Sequence, residues 1–91
     1  MSKRDRITII NDMLEFIRDK DGRAKLTHIM YKANLSNVML NEYMAELLRK
    51  EFIVEKIDKE KRKTYALTEK GYKFLIDYKQ MKGFLASYDL S

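Results

Sequence analysis

Between Leu26 and Ile53 the stretch LTHIMYKANLSNVMLNEYMAELLRKEFI leaves few ways to fold. Ile29, Met30 and Ala33 recur at helical spacing before the break at Ala33-Asn34-Leu35; Leu40, Tyr43 or Met44, Leu47 and Leu48 recur after it. So short a break between two amphipathic segments predicts two helices joined by a tight turn. Asn34 stands where such a turn needs a left-handed backbone, which asparagine tolerates best after glycine. Ser36 follows, its hydroxyl placed to accept a hydrogen bond from an orphan amide one turn on. The second helix is predicted from Ser36 to about Lys50, running directly into a strand. This is the layout of a helix-turn-helix.

The flanking segments complete a small domain. From about Lys3 to Lys20, Ile7, Ile10, Leu14 and Ile17 form one helical stripe, with Ile9, Met13 and Phe16 a second beside it. A helix so apolar touches more than one neighbour, either the C-terminal helix of its own chain or a second subunit. Asp21-Gly22 ends it, and Arg23-Ala24-Lys25 can form a short extended piece before a helix starting at Thr27. After Glu51, residues Phe52 to Ile57 and Thr64 to Leu67 carry the β-branched and aromatic residues of two paired strands, a wing. Their connection lacks glycine, and from Lys56 to Lys63 the wing holds five basic and two acidic residues. Thr68 caps the last helix, whose apolar side includes Phe74, Leu75, Tyr78, Met81 and Leu85, widened by Tyr72 and Phe84. The spacing from Leu75 through Tyr78 to Leu85 fits a heptad interrupted by Lys82. With little left in its own domain to cover it, this helix is expected to pair with a second copy through Leu75, Tyr78, Met81 and Leu85. The reading is mostly α with one small β-hairpin: a winged helix-turn-helix over residues 1–68 and a dimerisation helix over 69–91.

Composition narrows function. A chain of 91 residues makes one domain and buries roughly 60–65% of its unfolded surface. The net charge of +5 and a pI near 9.4 suit a polyanionic partner. No cysteine and one histidine exclude a disulfide framework and a thiolate or imidazole metal cluster, so no cofactor is expected. The absence of proline, with only three glycines, argues against linkers and phosphate loops. No apolar run is long enough for a membrane span and no leader is evident, giving a cytoplasmic expectation. No nucleophile, base and orienting group can be assembled into a catalytic site, so an enzyme is not expected.

The segment THIMYKANLS, the helix and strand YMAELLRKEFI and then YALTEKGYKFL closely resemble small archaeal winged-helix proteins that bind DNA as dimers. The resemblance covers about Ala24 to Leu75. It implies a three-helix winged domain, a C-terminal helix joining two chains in an antiparallel coiled coil, and a role as transcription regulator or chromatin-associated protein. It also implies a DNA-facing surface at Lys32, Ser36, Asn37, Asn41, Lys59, Lys61, Arg62 and Lys63. In a duplex-binding domain, Lys3, Arg4, Arg6, Arg23 and Lys25 would add peripheral charge. Asparagine can pair bidentately with adenine, and Val38 or Met39 can touch a thymine methyl. The same helix carries Glu42 and Glu46 and no Lys or Arg before Arg49. That pattern suits a second reading, a winged-helix module that docks on a protein.

Overall fold

The computed structural model describes residues 4–90 as four helices and a two-stranded antiparallel hairpin, in the order α1 (Arg6–Asp19), α2 (Leu26–Ala33), α3 (Asn37–Arg49), β1 (Ile53–Ile57), β2 (Lys63–Leu67) and α4 (Glu69–Ser87). Lys3, expected to open the first helix, lies outside the described residues. Side chains start three of the four helices. Asp5 accepts from the Thr8 amide, Ser36 from Met39 and Thr68 from Gly71, each satisfying an orphan N–H. The Thr8 amide is the main reason that the Asp5 carboxyl titrates below the ordinary carboxylate range.

Three helix ends share one device. Asn34, Glu51 and Asp89 adopt left-handed conformations with φ of 56°, 62° and 61°. In each case the next amide reaches back a full turn: Leu35 to Met30, Phe52 to Leu47 and Leu90 to Leu85. These are Schellman closures, which satisfy carbonyls that would otherwise be orphaned. Asn34 is as expected, whereas Glu51 and Asp89 do without the glycine that such ends favour.

The core lies where α1, α2, α3 and the hairpin converge. Met13, Leu14, Ile17, Ile29, Leu47 and Ile53 are fully buried there. Both stripes of α1 are used within the chain, against α2, β2 and α4, although Ile7 stays exposed. The extended piece expected at Arg23-Ala24-Lys25 reduces to one bridge, in which the Tyr65 amide donates to the Ala24 carbonyl at 2.9 Å. β1 pairs with β2 from Ile53 opposite Leu67 to Ile57 opposite Lys63. The Tyr65 hydroxyl donates to Glu55 at 3.0 Å; burial first, and this bond second, push its pKa up to about 12.

One interface residue falls elsewhere than expected. Leu75 is 7% exposed and packs in the chain's own core, because α4 lays that face against α1. The heptad spacing therefore begins on an intramolecular contact. Tyr78 is half-buried, stacked on Phe74 and 3.3 Å from the Thr8 hydroxyl. Since Thr8 sits in the first turn of α1, the turns of α4 beyond Lys82 extend past that helix. They carry Phe84 and Tyr88, which with Met81 are exposed, while Leu85 is half-covered.

Candidate nucleic-acid interface

The outward face of α3 is set by its inward one. With Leu40, Met44 and Leu47 buried, Val38, Asn41, Ala45 and Arg49 align on the opposite side at three- and four-residue steps, flanked by Asn37 and Glu42. Asn37 and Asn41 are exposed on adjacent turns, as the major-groove reading requires. The Ser36 hydroxyl accepts from Met39 at 3.2 Å and keeps its own hydrogen free to donate. Arg49 brings a cation to this face from the last turn.

Glu46 does not share it. Its carboxylate is mostly covered and pairs with Arg6, from the start of α1, and with Lys50 at 2.9 Å. The Lys50 and Arg6 hydrogen bonds hold its pKa down to about 2. The acidity read from the sequence of this helix is therefore half internal, leaving Glu42 as its exposed, unpaired carboxylate among the described residues.

The wing is a built loop. The Asp58 amide donates to the Arg62 carbonyl at 2.8 Å, closing a three-residue loop in which Lys61 takes the left-handed position with φ of 63°. The Asp58 carboxylate accepts from the Glu60 and Arg62 amides at 2.9 and 2.8 Å and from Arg62 Nε at 3.2 Å. The Arg62 amide is the largest cause of its lowered pKa. Arg62 also pairs with Glu60, so its guanidinium braces the loop. Lys59, Lys61 and Lys63 are exposed and, among the described residues, have no carboxylate partner.

The remaining cations divide. Arg4 pairs with Asp12 at 2.7 Å and donates to the Ala33 carbonyl, and Arg6 is held by Glu46, so both serve the fold. Lys32 is exposed on the last turn of α2 and borders a groove shared with Asp12, Glu15 and Asp19, of which Asp12 is paired with Arg4 and Asp19 with Arg18. Beside it Tyr31 is 81% exposed, an aromatic ring with no core to serve. Sequence periodicity passes over Tyr31, and its only signal there is an aromatic residue off the apolar stripe of α2.

A profile of winged helix-turn-helix proteins matches residues 3–85. The chain belongs to the winged helix-turn-helix family. Among solved structures, this winged-helix chain is similar to Sso10a-2, described as a DNA-binding protein from Sulfolobus solfataricus. The TM-score is 0.72 at 23% identity, covering 93% of this chain and 88% of that one. It is also similar to MepR of Staphylococcus aureus, a transcription regulator of a multidrug efflux pump, with a TM-score of 0.70 at 21% identity over 88% of this chain and 63% of MepR. A MepR–DNA complex superposes with a TM-score of 0.67 at 20% identity, covering 88% of this chain and 75% of that one. No curated protein matches the sequence. These likenesses bear on the winged-helix fold. Among the described residues, no helix is long and apolar enough to cross a membrane.

Proposed function

We propose that the protein binds double-stranded DNA as a homodimer, acting as a transcription regulator or chromatin-associated protein. The observation that carries this reading is the braced wing: Asp58 and Arg62 hold a loop from which Lys59 and Lys61 project, with Lys63 exposed at the start of β2, and among the described residues none of the three has a carboxylate partner. Unpaired lysines on a fixed loop suit phosphates, which position a protein on a duplex. On α3 and at its N-cap, Ser36, Asn37 and Asn41 enter or border the major groove, with Arg49 on the face of Asn41. That Sso10a-2 is a DNA-binding protein and that MepR forms a DNA complex supports the reading. In the dimer, Met81, Phe84, Leu85 and Tyr88 pair with a second copy where α4 outruns α1, with Tyr78 at the margin. The protein-docking alternative drew on Glu42 and Glu46, and the compensation of Glu46 leaves it Glu42 alone.

Fluorescence anisotropy against a labelled random-sequence duplex at several salt concentrations tests the reading. Affinity falls linearly in log–log form with a slope of about −0.9 per phosphate engaged. Replacing Lys59, Lys61 and Lys63 with alanine weakens binding to every sequence and flattens the slope. No binding at low salt would overturn the proposal. Light scattering addresses the assembly, and a monomer of 10.9 kDa at micromolar concentration removes the α4 pairing.

A further inference from the structure

A cleft of about 610 Å³ opens between the wing tip, the end of α1 and the start of α2. Lys20, Arg23, Lys25, His28, Lys59 and Thr64 contribute to its walls. Its acidic members are already engaged: Asp19 pairs with Arg18 at 3.0 Å, and Asp58 and Glu60 pair with Arg62. Among the described residues, Lys20, Arg23, Lys25 and Lys59 have no carboxylate partner. The cleft therefore presents a surplus of cations that the fold does not use.

Two groups convert that surplus into a site. Lys25 occupies the N-cap of α2 with no side-chain cap, and the Leu26, Thr27 and His28 amides have no partner among the described residues. A helix start of this kind directs N–H groups and the positive end of a dipole at an anion. Independently, Thr64 is only 5% exposed and, among the described residues, no hydrogen bond engages its hydroxyl. No fully enclosed polar side-chain atom there lacks a partner, so the hydroxyl keeps its access through the cleft that Thr64 lines. A hydroxyl that reaches a cationic cleft and has no protein partner is free to donate to an oxyanion there.

We propose that this cleft is a phosphate-binding site, with the start of α2, which meets the cleft at Lys25 and His28, and the Thr64 hydroxyl as donors and Lys20, Arg23, Lys25 and Lys59 as the counter-charge. The chemistry fits a phosphate ester from either of two sources, a phosphorylated small molecule or a backbone phosphate of a duplex seated against the wing. The site does not depend on α3 entering a groove.

Amide chemical-shift mapping of the full chain tests it, using inorganic phosphate and pyrophosphate, sodium chloride at matched ionic strength, and a random-sequence duplex. Saturable shifts at Leu26, Thr27, His28 and Thr64 with pyrophosphate identify a free-phosphate site. Shifts there with the duplex alone, while Asn37 and Asn41 report separately on α3, identify the DNA backbone as the source. In either case Thr64→Val, which keeps the shape, weakens the response at these amides about tenfold, the worth of one hydrogen bond to a charged group, and Thr64→Ser retains it. No saturable shift beyond that of sodium chloride, or an unchanged response in Thr64→Val, overturns the site even if the duplex binds through α3.

Discussion

Glu46 on α3 and Arg6 at the start of α1 are ion-paired across 40 positions of sequence, and Lys50 shares the carboxylate. The pair fastens the outer helix of the motif to the first helix of the domain. It also removes a negative charge from the surface offered to a polyanion. Glu46→Gln is therefore expected to leave duplex affinity nearly unchanged, whereas Glu42→Gln raises it. Anisotropy titrations of the two variants check this, and equal gains would place both carboxylates on the DNA face.

The same pair makes stability depend on pH with a definite sign. Because the folded-state pKa of Glu46 is depressed to about 2 from 4.5, its contribution is complete above the unfolded value and is lost as pH falls through that window. The Tm of the wild type should exceed that of Glu46→Gln at neutral pH, with the gap closing from pH 4.5 downward. Thermal melts by circular dichroism measure it; a gap constant down to pH 2 would contradict the pairing.

Gly71 sits against the corner where α3 meets β1. A Cβ there would overlap the Phe52 carbonyl oxygen and crowd the Leu67 side chain. That carbonyl also accepts from the Thr68 amide, so the backbone cannot yield freely. Gly71→Ala should cost about 1–3 kcal/mol, as overpacking does. Gly83→Ala, in the same helix with open space around its Cβ, should instead add about 0.5–1 kcal/mol. Opposite Tm shifts in urea or thermal melts are the expected result.

Glu51 holds a left-handed conformation without the glycine that favours it. Relief of that strain, roughly 1–2 kcal/mol, exceeds the added unfolded-state entropy of glycine, roughly 0.5–1 kcal/mol. Glu51→Gly is thus expected to stabilise by about 0.5 kcal/mol. Asn34→Val, at a left-handed position where the side chain is β-branched, should destabilise. Chemical denaturation of both variants decides.

Asp58 provides a test in which charge and structure predict opposite signs. Removing its carboxylate makes the wing more cationic, yet it deletes the acceptor for the Glu60 and Arg62 amides. Asp58→Ala should weaken duplex binding because the lysines lose their fixed placement. Tighter binding would show that charge alone governs the wing.

Local signals were legible in the residues themselves. Ser36 and Thr68 cap the helices they were expected to cap, Asn34 turns left-handed between α2 and α3, and the hairpin falls where β-branched residues recur. Each of these depends on groups within about four residues, so the chemistry of a short window is sufficient. Leu75, Glu46, Arg6 and Thr64 are different. Heptad spacing cannot say whether Leu75 meets α1 or a second chain, and a glutamate off the apolar stripe reads as free until α1 brings Arg6 to it. Thr64 becomes a candidate donor only because the wing tip, α1 and α2 enclose it. The sequence by itself determined the elements, their caps and the family's layout. Packing of distant segments decided which charges are spent and which remain to meet a partner, because ion pairs and clefts are made by residues that only the fold brings into contact.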